Sequence, residues 1–358
     1  MAGGSPYLRT TYPEDMAILN TPSRRVGFIL GLCAALALPF VLSPFWLHLW
    51  NQVALSIVGA VALNLLTGAC GQVSLGHAAF LAAGAFCAAI LVQHLRAPFP
   101  VVLAAAGVVG AILGLIVGLP SLRFRGLYIA ISTLAMHYAI LYGLRTYQAN
   151  LGGSATAGMH LPSPALGPVT LGSDRAWYYF LLVIVLGTIA TAVNLLRTQP
   201  GRAWKALRDR DIAAEALGIH VRYYRLLAFM VSSAMTTFAG ALLAYYSNVV
   251  TSDEFGLELA ISYLAMIIVG GLGSVLGAVL GATFITLLPH AIDKVFAVLP
   301  RPAFIGTQIF SLQFAVLGLV ILLFLLVEPK GLVELWRRLR VYFDLWPFRY
   351  KPLEVVRR

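Results

Sequence analysis

The stretch NLLTGACGQVSLGHAAF, residues 64–80, places Asn64, Gln72, Ser74 and His77 among Gly68, Gly71 and Gly76 in the middle of a long apolar tract. Amide, hydroxyl and imidazole groups of this kind make hydrogen bonds. In an apolar setting they can close the bonds of unwound backbone or contact the polar end of a solute. The glycines permit the backbone geometry of an interrupted helix. A second stretch, VGGLGS at residues 269–274, has the same character. His137, alone in STLAMHYAILYG, reads instead as a core histidine. Cys33, Cys70 and Cys87 all fall in apolar segments without CxxC or Cys/His spacing, so they read as small packing residues and indicate no metal. A membrane-embedded enzyme would need clustered His, Asp or Glu, and the 7 histidines are scattered.

The elements that hold these residues follow from composition. Of 358 residues 60% are hydrophobic and 11% charged, and the mean hydropathy is +0.86. An ordinary soluble domain carries about a quarter charged residues. Residues 26–95 contain no Asp, Glu, Lys or Arg, which is room for about three crossings of ~20 residues each. The expected fold class is an all-α polytopic membrane protein. Continuous apolar runs argue against a β-barrel, whose ~10-residue strands alternate. The first run starts at Val26 behind a polar segment, unlike a cleaved secretory signal.

Apolar patterning predicts about ten crossings, at residues 26–47, 53–66, 74–93, 101–119, 127–147, 177–196, 226–246, 257–269, 275–288 and 309–327. The second, eighth and ninth are short, and each touches a glycine-containing polar interruption. Acids come no deeper than the span edges, at Glu258 and Glu328. Proton- and sodium-coupled carriers usually need such groups at depth. The energy for any transport is therefore expected to come from elsewhere.

Ten crossings put both termini on one side, with the loops around Arg123 and at residues 197–225. That side holds twenty of the 25 Lys and Arg, and the positive-inside rule makes it cytoplasmic. The net charge of +11 is thus a topogenic signal, with no folded basic module to suggest nucleic acid. The expected organisation is a cytoplasmic segment 1–25, one transmembrane domain 26–327 with an external loop at 148–176, and a cytoplasmic tail 328–358. The tail mixes Trp, Leu and Phe with arginines, as an amphipathic helix lying on membrane lipid does.

No GxxxxGK[ST] loop is present, and GLGSVLG lacks the dinucleotide spacing. Gly110, Gly114 and Gly118, and again Gly273, Gly277 and Gly281, form GxxxGxxxG runs. Small residues four apart let helices approach closely in lipid. Residues 198–225 read as two short helices, 202–209 and 212–217, with Asp211 as N-cap of the second and Gly218 as its stop. Such a stiff protruding element suits a docking site.

In order along the chain, NLLTGACGQVSLGHAAFLAAGAF, LGGSATAGMHLP, GRAWKALRDRDIAAEALGIHVRYYRLLAF, GGLGSVLGAVLGA and EPKGL resemble LivM-type permeases of branched-chain amino-acid ABC importers. The resemblance runs over residues 53–332, and its GQxSxGH and AAExxG elements are specific together. It implies a type II-like importer fold that pairs with a second, LivH-like permease. Two cytoplasmic ATPases, which use ATP and Mg, and a periplasmic solute-binding protein complete the complex, in a bacterial inner membrane. No cofactor is expected on this chain, and no catalysis. Residues 202–218 resemble the ATPase-coupling element, with Arg208, Asp211, Glu215 and Gly218 as its expected residues, the last two matching the Glu and Gly of AAExxG. Related permeases also serve urea, amides or aromatic acids, so an aliphatic amino acid is the first expectation and these are the alternatives. A stand-alone ion-coupled carrier is the rival from another class.

Overall fold

The structure is a computed structural model, and it describes residues 22–124, 126–152, 158–166, 169–298, 309–328 and 331–345. The expected segment 1–25 lies outside these residues except for its last four, as do residues 153–157 of the external loop and the end of the tail from 346. Thirteen α-helices stand among the described residues.

Helix α1 is Pro22–Val41 and α2 is Pro44–Leu63. This corrects the first predicted segment, which ran through to residue 47. Pro44 occupies the first turn of α2 and Ser43, the residue before it, is extended (ψ 158°). A residue before proline is driven out of the helical region, so the apolar tract splits here. Helix α2 passes directly into a π-helical turn, Asn64–Ala69. After an irregular stretch come α3 His77–Leu95, α4 Phe99–Ser121 and α5 Leu127–Gly152. Helix α6, Asp174–Leu195, starts on Ser173, whose Oγ accepts the Ala176 N–H. Two short helices follow, α7 Gln199–Asp209 and α8 Asp211–Ala216, then the long α9, Val221–Ser247. Helices α10 Leu257–Gly270, α11 Val275–Val298, α12 Ile309–Val327 and α13 Leu332–Leu345 complete the order.

Helix α9 is the centre, packed on α4, α3 and α2. Its hydroxyl stripe and the glycines of its neighbours explain why. Gly110 and Gly114 of α4 lie against Thr237, Ser233 and Phe229, with Gly118 against Leu226 and Phe229. A Cβ at any of them would overlap α9. Ser233 Oγ bonds the Gly110 carbonyl at 2.7 Å, and Ser232 Oγ bonds that of Ala62 at 2.7 Å. Where lipid removes the hydrophobic drive, close backbone approach and interhelical hydrogen bonds hold helices together. Gly277 and Gly281 do the same for α11 against Gly270 and Met266 of α10. Gly273 does not belong to that run: it precedes α11 in a turn with φ 83°. Four-residue spacing cannot tell whether the first glycine lies inside the helix.

Six helices are long and apolar enough to cross a membrane: Pro44–Ala69, His77–Leu95, Phe99–Ser121, Asp174–Leu195, Val221–Ser247 and Val275–Lys294. The exposed face of α4 is aliphatic, with Val101, Val108, Ile112, Ile116 and Leu119. An all-α polytopic membrane protein results. Helix α11 runs past Pro289, where the predicted segment stopped, and so carries Asp293 and Lys294 in its last turns. Proline is tolerated inside membrane helices because neighbours re-satisfy the freed backbone.

The two ends of the bundle differ. At one end two short strands pair antiparallel, Met159–His160 with Val249–Val250. There Asn51 Nδ2 donates to the Asp174 carbonyl, and Tyr246 Oη lies 2.6 Å from His48 Nδ1. Arg145 pairs with Asp253 at 2.9 Å at the same end. The other end gathers the π-turn, α7, the Gly271–Ser274 turn and the start of α13.

Candidate functional site

Both interruptions of the sequence meet at that second end. Asn64, in the first residue of the π-turn, is buried, with its Nδ2 donating to the Ser274 carbonyl at 3.0 Å. Its Oδ1 accepts the Gly273 N–H at 2.9 Å. One side-chain amide therefore pairs the Gly273 N–H and adds a second donor to the Ser274 carbonyl, which also accepts the Ala278 N–H at 3.0 Å. The fit demands glycine on both sides. A Cβ at Gly68 would overlap Asn64 Oδ1 and the Gly273 nitrogen. Gly273 has φ 83°, in the left-handed region.

Arg208 joins this pair from the loop helices. It stands one residue before the end of α7, and its Nη1 donates to the Gly68 carbonyl at 2.5 Å. The last carbonyls of a helix have no intrahelical partner and attract cations. Arg208 supplies both the donor and the charge. Gly71, at φ 77°, lies so near that a Cβ would sit 3.3 Å from Arg208 Cα, and the same guanidinium fills the space beside Gly273. Helix α7 is fixed behind this contact. Trp204 is fully buried, with Nε1 donating to the Tyr224 carbonyl of α9 at 2.9 Å.

Asp211 was expected to cap α8, but it is the first helical residue and Arg210 holds the cap position without a side-chain bond. The Asp211 carboxylate instead accepts from Arg225 of α9 at 2.8 Å, a half-buried tertiary ion pair in place of a local cap. Gly218 follows α8 with φ 84°. Glu215 is exposed, as are Ile212 (73%) and Leu217 (82%). Two large aliphatic side chains thus project from an otherwise polar loop.

Between the π-turn and α3, residues 70–76 alternate between exposed Gly71 and Val73 and buried Gln72 and Ser74, with several backbone groups bonded within the protein. Gln72 N–H donates to the Leu66 carbonyl, and Thr67 Oγ1 donates to that of Gln72 at 3.1 Å. Leu75 N–H reaches Thr133 Oγ1 at 3.0 Å, and Gly76 N–H reaches Ser74 Oγ at 3.3 Å. Gln72 and Ser74 are buried at 3% and 1% exposure. His77 stands apart at the start of α3, with its Nδ1 3.4 Å from Thr236 Oγ1 and its ring 4.8 Å from Tyr263. Asn64 and Arg208 are therefore brought together, Gln72 and Ser74 line the adjoining loop, and Glu215 and Gly218 lie beyond α7. His137 is buried in α5.

Sequence reasoning missed Thr133, Thr236, Tyr263, Trp204 and Gly331. The run SSAMTT, residues 232–237, was the visible signal for the α9 stripe, since its hydroxyls recur every four residues. Gly331 (φ 72°) packs against the Val269 carbonyl and Gly271 nitrogen, so the start of α13 covers the second turn. Nothing in the string EPKGL assigns it that contact. Among the described residues no group of three or more His, Cys, Asp and Glu is placed to hold a metal.

Residues 45–326 match the family model described as branched-chain amino acid transport system, permease component. The chain is 29% identical over 291 residues to the high-affinity branched-chain amino acid transport system permease protein LivM of Escherichia coli strain K12, covering 75% of this chain and 68% of that protein. It is 25% identical over 292 residues to a probable branched-chain amino acid transport permease protein LivM of Methanocaldococcus jannaschii, covering 78% and 84%. It is also 29% identical over 266 residues to the autoinducer 2 import system permease protein LsrC of Escherichia coli (strain K12 / DH10B), covering 71% of each. No solved structure matches the chain. Its match extends from the first turn of α2 to the last of α12, both interruptions and the loop helices included, and the chain belongs to the family of permease components of branched-chain amino acid transport systems.

Proposed function

We infer that this ABC-importer permease moves branched-chain or other hydrophobic amino acids into a bacterial cell, handed to it by a periplasmic binding protein. It crosses the inner membrane about ten times, pairs with a LivH-like permease, and rests on two ATPases that hold ATP and Mg. It binds no cofactor of its own and catalyses no reaction. Twenty of the 25 Lys and Arg support a cytoplasmic position for the end that carries α7, α8 and α13.

The observation that carries the coupling part is Arg208. A loop helix whose arginine holds the carbonyl end of a broken membrane helix is mechanically continuous with that helix. Exposed Ile212 and Leu217 on α8 offer an apolar contact to a partner. Gln72 and Ser74 support the loop backbone beside this junction, and His77 stands deeper against Thr236 and Tyr263.

A second reading concerns the solute alone. The similarity to LsrC, whose printed name is an autoinducer 2 import permease, favours a family that carries more than amino acids. Urea, amides and aromatic acids are the alternatives. Reconstitution of the chain with its second permease, ATPases and binding protein in liposomes tests both. ATP-dependent uptake of leucine, isoleucine or valine supports the first reading, and ATP-dependent uptake of another solute supports the second. Uptake by the purified chain alone under an ion gradient would remove the importer reading altogether.

A further inference from the structure

Helix α13 stands over α11 without closing on it. Leu332, Leu335, Trp336 and Leu339 recur at the i, i+3, i+4, i+7 spacing of an apolar helix face. Leu335, Trp336 and Leu339 are nonetheless exposed, Trp336 at 56%. Between them and Leu280, Leu287 and Ala291 of α11 lies a groove of about 550 Å³. Thr283, the hydroxyl on its wall, donates to the Val279 carbonyl at 2.8 Å, so the wall offers a ligand no free hydroxyl. From Leu280 to Ala291 the groove follows α11 for about 16 Å at 1.5 Å per residue, half of a ~30 Å hydrocarbon layer. A helix about 10 Å across would fill roughly 1,250 Å³ over that length, more than twice the space present. A single hydrocarbon chain suits both the length and the width.

The rest of α13 supplies a charged edge. Arg337 pairs with Glu334 at 2.6 Å and Arg338 with Glu328 at 2.9 Å. The carboxylates lie underneath, at 12% and 13% side-chain exposure, and the guanidinia lie outside, at 64% and 61%. What an approaching ligand meets is therefore cationic. A guanidinium carries five N–H donors, so one carboxylate partner leaves others for a phosphate. Arg338 comes three residues after Leu335 and two after Trp336, on the flank of the apolar face. Tryptophan and arginine at such a boundary suit the headgroup level of a membrane. The first turn of α13 is meanwhile fixed to the junction. Gly331 lies against the Val269 carbonyl and the Gly271 nitrogen, and Val333 lies against Gly277.

We propose that the groove between α11 and α13 is a binding site for an anionic phospholipid of the adjoining leaflet. One acyl chain lies along α11 from Leu280 to Ala291, and the phosphate meets Arg338 and Arg337. The bound chain fills the space that α13 leaves open and so holds this helix over the Gly271 turn. That turn adjoins Gly273 and Ser274, which Asn64 bonds. Lipid composition thereby reaches the junction. The proposal requires a membrane protein but not the importer reading.

The test places the full chain, alone and in its assembled complex, in phosphatidylcholine vesicles. A rising mole fraction of phosphatidylglycerol or of phosphatidylcholine brominated on its acyl chains is then added. Bromine quenches indole fluorescence on contact, and the difference between wild type and Trp336→Phe isolates Trp336. The site predicts half-quenching by the glycerol lipid at about one-fifth or less of the mole fraction that the choline lipid needs, because each arginine favours an anionic headgroup. About 0.5 M sodium chloride should shrink that preference. Arg337→Gln with Arg338→Gln should bring the two lipids together, whereas Ala291→Phe, which fills the deep end, should weaken quenching by both. If the paired Gln variant fails to fold, salt and Ala291→Phe still decide the matter. Equal quenching of the wild type by both lipids would overturn the proposal, leaving an ordinary lipid-facing surface. Quenching of the chain alone that the assembled complex abolishes would also overturn it, by giving the groove to the second permease.

Discussion

Arg208 and Gly68, 140 residues apart in the chain, are joined by a 2.5 Å hydrogen bond from the guanidinium of a loop helix to the carbonyl of a π-turn. The bond spans the two parts that an ATP-driven importer must connect: a surface outside the membrane and an interruption in a helix inside it. Asn64 extends the connection to the turn before α11 through two further bonds. In the coupling role proposed for Arg208, movement of α7 would reach two helix breaks at once.

Asn64 sets the cost of losing that connection. Asn64→Ala strands the Gly273 N–H, at about 1–3 kcal/mol for a buried group left unpaired, and takes one of two donors from the Ser274 carbonyl, which keeps the Ala278 N–H. Thermal unfolding in detergent should fall by several degrees. Asn64→Asp keeps the acceptor for Gly273 and loses the donor to Ser274, so it should fall between wild type and Ala. A melting temperature unchanged by Asn64→Ala would show that these bonds contribute nothing.

The surface of α8 makes a separate prediction. Glu215 is exposed on α8. Glu215→Arg should leave the chain inserted while reducing solute-stimulated ATP hydrolysis and uptake in the assembled complex. On an ordinary solvated loop a surface substitution changes stability by less than about 0.5 kcal/mol and does little else. Wild-type uptake and hydrolysis would remove α8 from the ATPase contact.

Orientation can be read by labelling. With the native cysteines replaced, an impermeant thiol reagent added outside cells should modify a cysteine at Ser163 and spare one at Ile212. Both positions are exposed, so access to the reagent decides the result. The reverse pattern would invert the protein in the membrane.

Helix boundaries were legible where the signal is local. Gly218 ends α8 with a positive φ that its residue type makes cheap, and Pro44 opens α2 as N-terminal prolines do. The first predicted segment nonetheless ran past Pro44, because hydropathy on both sides is equally high. Pro289 misled in the opposite direction, since neighbouring helices allow α11 to continue through it. Asp211 illustrates a choice made in three dimensions: its carboxylate had a local cap available and took Arg225 of α9. Asn64 was visible as a polar residue in an apolar tract, whereas its partners Gly273 and Ser274 lie some two hundred positions away. No periodicity in one sequence carries that pairing.

Gln72 and Ser74 separate backbone support from a larger role. Ser74→Leu removes the acceptor of the Gly76 N–H, and Gln72→Leu removes a buried amide whose Oε1 has no protein partner. If both residues serve the path or the moving loop, each Leu variant should lose uptake while still assembling with the second permease and the ATPases, as a pull-down would register. Uptake at the wild-type rate would leave them no part in transport, and failed assembly would make them packing residues.

The central claim is that Arg208 transmits the work of ATP hydrolysis to the helix breaks, and its direct measure is solute moved per ATP hydrolysed in liposomes. Arg208→Ala forfeits a charge-assisted bond worth about 1.5–3 kcal/mol, so the ratio should fall by about tenfold or more. Hydrolysis itself should persist, and Arg208→Lys should recover part of the ratio through its single ammonium. A ratio in Arg208→Ala equal to that of the wild type, with uptake intact, would contradict the account.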